Sequence, residues 1–239
     1  PMAVGAHVYL LGKVPSPKIL LKAFEEVKPN LILTVPLILE KIYKKMILPQ
    51  LSKTTMKVAL NIPLLDSRIY AQIRKKLVDA FGGRFREVIV GGAAMNEEVT
   101  NFLYKIKFPF TIGYGMTECG PLISYDHNDE YVPGSCGQIL KGIMKVRIDS
   151  EDPYNKVGEI QVSGENVMKG YYKNEEATSK VFTEDGWLRT GDLGTIDADN
   201  RIYIRGRSKT MILGASGQNI YPEEIESKLN NLPFVMESI

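Results

Sequence analysis

The hexapeptide Gly113-Tyr114-Gly115-Met116-Thr117-Glu118 gathers in one short run the groups by which a protein holds a nucleotide. An aromatic ring between two glycines can stack on a base, a threonine hydroxyl and nearby amides can meet a phosphate, and a carboxylate can hold Mg2+, a hard cation that prefers oxygen. A polar turn around a buried tyrosine would use the same residues. Upstream, Gly91-Gly92-Ala93-Ala94 offers backbone with little side chain, which lets a flat or anionic ligand come close. It has neither dinucleotide spacing nor a Walker lysine, so by itself it is better read as a tight strand-to-helix turn. In Trp187-Leu188-Arg189-Thr190-Gly191-Asp192 the aspartate could accept hydrogen bonds from both ribose hydroxyls, although Gly-Asp is also common turn chemistry. Finally, Gly206-Arg207-Ser208-Lys209 holds an arginine able to reach a ribose or phosphate and a lysine able to mark a joint between domains. An ordinary charged loop has the same composition.

The elements that must position these residues follow from apolar spacing. Val8–Leu11 has strand character, and Leu20, Ala23, Phe24 and Val27 share one face of a helix. Strand character returns at Leu31–Val35, and Pro36 suits the first turn of a helix running through Lys45. Leu65, Ile69, Ile73 and Leu77 recur every four residues, predicting a helix that ends near Gly82-Gly83. A strand at Val88–Val90 enters the Gly91-Gly92 turn. A helix carrying Val99, Phe102, Leu103 and Ile106 then leads to a strand at Phe110–Gly113. This alternation is that of an α/β layered structure.

From about Asp126 helical periodicity disappears, and short alternating runs at Lys145–Ile148, Glu159–Val162 and Arg201–Arg205 predict a small antiparallel β domain or barrel. Thr210–Leu213 resembles a strand. Past a Gly-rich turn at 214–217, Pro222, Glu223 and Glu224 suit a helix start with Ile225, Leu229 and Leu232 as its apolar stripe. The reading is therefore an α/β subdomain over 1–125, a β subdomain over 126–206 and the start of a third unit over 207–239.

Composition narrows the function classes. With 239 residues, 44% hydrophobic and 24% charged, the chain has the make-up of a globular protein of one or two domains. A net charge of +2 leaves no footprint for nucleic acid. No run approaches the ~18 apolar residues of a membrane span and no signal-peptide pattern opens the chain, so a cytoplasmic location is expected and membrane association is not indicated. The two cysteines, Cys119 and Cys136, and the two histidines, His7 and His127, lack the spacing of a disulfide framework or zinc site; reduced thiols and no structural metal are expected.

Taken in order, Tyr114–Glu118, Gly158-Glu159-Ile160-Gln161-Val162-Ser163-Gly164, Gly170-Tyr171-Tyr172 with Glu176-Ala177-Thr178, Arg189–Leu193 and Gly206-Arg207 resemble the adenylate-forming superfamily of acyl-CoA synthetases, luciferases and peptide-synthetase adenylation domains. The resemblance runs from about residue 5 to the end of the chain. Gly5–Pro36 and Gly206–Glu226 look most like the long-chain fatty acid CoA ligases.

That resemblance implies roles. Tyr114, flanked by Gly113 and Gly115, would stack on adenine beside Gly92-Ala93-Ala94; Thr117 would bind the α-phosphate and Glu118 would coordinate Mg2+. Asp192 and Arg207 would hold the ribose. Lys209 falls at the family's hinge, and Gly217 in the segment that approaches the site for thioester formation. The implied enzyme is an acid-thiol ligase that uses ATP, Mg2+ and coenzyme A and releases AMP, acting on a fatty acid. An adenylation domain that loads an amino or aryl acid onto a carrier protein, and a non-catalytic nucleotide-binding module, remain alternatives. The family's Ser/Thr/Gly-rich phosphate loop and its distal catalytic lysine have no counterpart among these 239 residues. Together with a start at Pro1 in apolar sequence and a stop at Ile239, this predicts an internal piece of a longer enzyme that is catalytically incomplete alone.

Overall fold

In the computed structural model, which describes residues 2–12, 16–63, 65–214, 219–232, 235 and 238, the first half of the chain alternates helices with parallel strands. Helix α1 (Pro17–Val27) opens at Ser16, whose hydroxyl accepts from the Ile19 amide at 3.3 Å, and closes on Lys28 in the left-handed conformation. Strand β1 (Leu31–Thr34) is followed by α2 (Pro36–Ile42), which passes through a wider π turn at Tyr43–Ile47. Helices α3 (Leu48–Leu51), α4 (Thr54–Leu60) and α5 (Leu65–Ala80) precede strand β2 (Glu87–Val90). Helix α6 (Glu97–Lys105), capped by the Asn96 side chain, and strand β3 (Phe110–Ile112) complete this part. The strands pair in the order β1-β2-β3, all parallel, so their carboxyl ends share one edge. Val88 and Val90 of the central strand are fully buried, and Phe81, Phe85 and Phe108 pack against one another with ring centroids 5.6–5.8 Å apart.

One expected strand is absent. Val8–Leu11 is irregular, and Leu10 is 89% exposed. Strand character in a sequence becomes a strand only where a neighbour completes the ladder of backbone hydrogen bonds, and none of the described strands pairs with this run.

Beyond β3 the chain forms a short pair, β4 (Tyr114–Gly115) with β5 (Leu122–Ser124), then β6 (Met144–Asp149) and β7 (Gly158–Gly164). Helix α7 (Glu175–Val181), strand β8 (Leu188–Ile196) and strand β9 (Ile202–Arg207) follow. Strands β6-β7-β8-β9 make an antiparallel meander in which β6 and β9 are the edges, an open sheet rather than a closed barrel. Isolated bridges carry the ladder outward from β9: Arg201 pairs with Gln138, and Ile139 pairs with Ser124 of β5. The sheet thereby reaches the strand pair that holds Tyr114. Its core of Ile123, Ile160, Val162, Leu188 and Ile202 is at most 1% exposed.

Helix α7 lies where no helix was expected. It buries no residue, so it has no apolar stripe to betray it; its signals are Asn174 capping the Ala177 amide at 3.0 Å and two glutamates in the first turn. Cys119 and Cys136 are both free thiols. After β9 come two-residue strands β10 (Ile212–Leu213) and β11 (Asn219–Ile220), and helix α8 (Pro222–Leu229).

Polar side chains buried between the two sheets fasten them together. Glu87 of β2 accepts from the Asn128 amide at 2.6 Å and from the Tyr125 hydroxyl, while the Thr111 hydroxyl of β3 donates to the Asp126 carbonyl at 2.7 Å. The Asp126 carboxylate, 3% exposed, pairs with Arg201 Nε at 3.0 Å and accepts from the Gln138 amide at 3.1 Å. A carboxylate removed from water this far is tolerated only when paired and hydrogen-bonded, and here both conditions hold.

Candidate functional site

Gly91 and Gly113 end β2 and β3: the Gly91 amide donates to the Thr34 carbonyl at 3.1 Å and the Gly113 amide to the Val90 carbonyl at 2.9 Å. Gly92, Ala93 and Ala94 lie exposed immediately beyond. Ligands of open α/β sheets bind outside the carboxyl ends of the strands, and both glycine-containing motifs stand at that edge.

Tyr114 enters β4 directly from Gly113. Its ring is only 7% exposed and packs in the core of the β part, while its hydroxyl donates to Asp192 Oδ2 at 2.8 Å. Burial and the neighbouring carboxylate both push the phenol above its ordinary pKa, so it stays protonated and able to donate.

Asp192 is not in a turn. It lies within β8, where one residue of β7, Ile160, stands opposite Thr190, Gly191 and Asp192, between the pairs Gln161–Arg189 and Glu159–Leu193. Such a bulge re-aims a side chain. Gly191 takes φ 74°, which an L side chain rarely adopts, and the bulge is held by the Thr190 hydroxyl donating to the Ile160 carbonyl at 2.8 Å and accepting from the Asp192 amide at 3.1 Å. The register of β8 with β9 sets Asp192 opposite Arg207, and Arg207 Nε lies 3.2 Å from Asp192 Oδ1. Burial raises the Asp192 pKa; the Tyr114 hydrogen bond and the Arg207 charge oppose that, and Glu159 and Glu223 add to it. Tyr114, Asp192 and Arg207 thus form one continuous polar chain. Each carboxylate oxygen has a second lone pair for another donor.

Thr117 and Glu118 form a single 3-10 turn after β4. Thr117 is exposed, and its hydroxyl makes no hydrogen bond to another described residue. Glu118 Oε1 accepts from the Tyr171 hydroxyl at 2.9 Å. No group of three or more His, Cys, Asp or Glu gathers around a point among the described residues, so an all-protein metal cage is not offered. A single partly exposed carboxylate with one oxygen uncommitted is the donor set of a site that shares Mg2+ with phosphates and water, and Glu118 fits it.

Lys209 is exposed in the turn after β9, two residues beyond Arg207. Gly217 lies outside the described residues. Three neighbours of the site had not been singled out: Glu159, which accepts from the Gly191 amide at 3.3 Å; Tyr171 on Glu118; and Glu223, which accepts from the Thr210 hydroxyl at 2.6 Å. All three sit inside runs that carry the resemblance, and Glu223 otherwise shows only as part of a helix start.

Comparison with known proteins identifies the family and the fold. A family model described as AMP-binding enzyme matches residues 1–172. Long-chain-fatty-acid–CoA ligase 1 of Saccharomyces cerevisiae is 29% identical over 88% of this chain, covering 33% of its own length. 4-Coumarate-CoA ligase 1 of Narcissus pseudonarcissus is 35% identical over 72% of the chain and 33% of its own length. Among solved structures, ATP-bound MatB from Rhodopseudomonas palustris superposes with a TM-score of 0.69 at 28% identity, over 95% of this chain and 40% of that one. The chain spans about a third of the length of these two curated relatives.

Proposed function

The chain belongs to the AMP-binding enzyme family, and on that premise we propose that it is the nucleotide-holding part of an ATP-dependent acid-thiol ligase. In this reading a carboxylate attacks the α-phosphorus of ATP, a new P–O bond forms, and the bond to pyrophosphate breaks. A thiol, that of coenzyme A, then attacks the acyl carbonyl of the adenylate, and AMP leaves with the electron pair. The protein forms no covalent bond, so its contribution is positioning and charge neutralisation.

The observation that carries the reading is the chain Tyr114–Asp192–Arg207, which ties the carboxyl edge of the parallel sheet to the bulge of the antiparallel one. The Asp192 carboxylate would accept from the ribose hydroxyls, held in place by a phenol on one oxygen and a guanidinium on the other. Thr117 would face the α-phosphate. Bound Mg2+ would neutralise phosphate charge, with Glu118 as its protein oxygen.

For the acid we propose a long-chain fatty acid. Support comes from the yeast long-chain ligase, whose similarity extends along 88% of the chain. The Narcissus 4-coumarate ligase matches a shorter stretch at higher identity, which favours an aryl acid as the second reading. A panel of fatty, aryl and amino acids, scored by pyrophosphate release from the whole enzyme, separates them. Fatty acids alone should give release above background; release only with aryl or amino acids overturns the substrate assignment. The 239-residue chain by itself should bind AMP weakly and form no acyl-CoA.

A further inference from the structure

The run Gly164–Thr178 carries a motif for which the nucleotide reading has no use, yet it makes four hydrogen bonds to the short segment Cys119–Leu122 and the glutamate before it. Asn166 Nδ2 donates to the Cys119 carbonyl at 2.6 Å and to the Leu122 carbonyl at 2.8 Å. The Met168 amide donates to the Glu118 carbonyl at 2.7 Å. The Tyr171 hydroxyl donates to the Glu118 side chain at 2.9 Å. Backbone and side chain of one glutamate are therefore both held by the same strap.

The strap has its own anchor. The Thr178 hydroxyl of α7 accepts from the Tyr171 amide at 2.9 Å and donates to the Asn174 carbonyl at 2.8 Å. Gly170 lets the two segments touch: a Cβ there would lie 2.8 Å from Thr178 Cγ2 and 3.0 Å from its hydroxyl oxygen, at a φ of 150°. Val167 and Met168 pack against the core of the β part, which ties the strap's middle to rigid structure. Tyr171 is 37% exposed and lies outside the core of the β part, so the hydrogen bond to Glu118 is a specific tether on its ring.

We infer that Tyr171 is a positioning residue for the Glu118 carboxylate, with Thr178 fixing Tyr171 in turn. Donation to Oε1 fixes the rotation of the carboxylate and leaves Oε2 as the oxygen presented to a cation. Partners that orient a metal-ligating group in this way contribute to metal affinity without touching the metal. The inference rests on the proposed role of Glu118, and the experiment separates the two.

Mn2+ serves as the probe, with free Mn2+ read by electron paramagnetic resonance during titration of the protein saturated with AMP; AMP affinity and the melting temperature are measured in parallel. Tyr171→Phe removes one oxygen from a partly exposed ring. It should weaken Mn2+ binding about tenfold, the low end for such outer partners, with AMP affinity and melting temperature unchanged. Thr178→Val should weaken Mn2+ binding in the same direction by a smaller factor, and tests the relay independently should the first variant fold poorly. If Glu118→Gln abolishes Mn2+ binding while Tyr171→Phe and Thr178→Val leave it at the wild-type value, the positioning role is overturned and the cation role of Glu118 stands. A wild-type protein that retains no Mn2+, or a Glu118→Gln variant that retains it fully, overturns the cation role and the inference with it.

Discussion

The antiparallel sheet and the segment that follows it are built from similar residues and end up differently. Strands β6 to β9 bury most of their isoleucines and valines, with Ile160, Val162 and Ile202 at 0% exposure and Val146 and Ile204 partly covered, and the bulge that aims Asp192 is cut into this packed sheet. Past Arg207, strands β10 and β11 are two residues long, α8 buries nothing, and Ile212, Leu213, Ile225, Leu229 and Leu232 are 41–67% exposed. Among the described residues the segment's polar attachments to the rest of the chain include Lys44 Nζ to the Asn230 carbonyl at 3.0 Å, Asn96 to Asn231 at 2.8 Å and Arg205 to Glu224 at 3.9 Å. The groups proposed to hold a nucleotide's ribose, Asp192 and the Tyr114 that supports it, sit on the packed side of this divide. Lys209 sits at its border, where a polypeptide can turn without breaking a core.

If the rigid side depends on the polar joint between the sheets, cutting that joint should give the largest loss. Arg201→Ala leaves the Asp126 carboxylate buried without its cation, and stability should fall by about 3 kcal/mol, read from the urea midpoint at constant m-value. A change below about 0.5 kcal/mol would mean that the joint is ornamental and that the two sheets are held by packing alone.

The soft side is probed by Lys209→Pro, which fixes φ near about −65° and restricts Ser208. If the small unit must rotate between half-reactions, acyl-adenylate formation in the whole enzyme should survive while thioester formation falls at least about tenfold, roughly 1.4 kcal/mol in barrier. ATP-pyrophosphate exchange and single-turnover thioester formation from preformed adenylate report the two steps separately. Proportional losses in both would sink the hinge.

The smallest effect concerns the strain of keeping a carboxylate in the rigid core. The folded-state pKa of Asp192 is raised by burial above its unfolded value, so its contribution to stability is most favourable below the unfolded pKa and declines as pH rises through the folded one. Asp192→Asn should therefore raise the melting temperature slightly at pH 7 and leave it unchanged near pH 3. A loss of stability at pH 7 would show that Tyr114 and Arg207 more than offset the burial.

Much of this architecture was legible in the sequence, and the exceptions have physical causes. Helices α1, α5 and α6 and the parallel strands were visible because each turns apolar residues toward the core at a local period, from the partly buried Leu20 and Phe24 of α1 to the fully buried Val88 and Val90 of β2. Strand β8 was hidden at its most informative point: Gly191-Asp192 has turn chemistry, and what makes it a bulge is the register of β7, set some thirty residues away as the Thr190 to Ile160 bond shows. The polar chain itself was legible as a list of residues and not as contacts. Tyr114 and Asp192 are 78 positions apart, and only the folded ladder decides that a phenol and a guanidinium should meet the same carboxylate. Tyr171 stands in the sequence as part of a motif with no visible task, because its partner lies 53 residues upstream.

The central claim is that Asp192, held by Tyr114 and Arg207, receives a nucleotide's ribose. Calorimetric titration of AMP into the wild-type protein and Asp192→Ala tests it directly. Two charge-assisted hydrogen bonds of roughly 1.5–3 kcal/mol each at most are at stake, so affinity should fall at least about tenfold in a variant whose circular dichroism is unchanged. Equal AMP affinity in the two folded proteins would contradict the account and leave Asp192 a structural carboxylate of the β8 bulge.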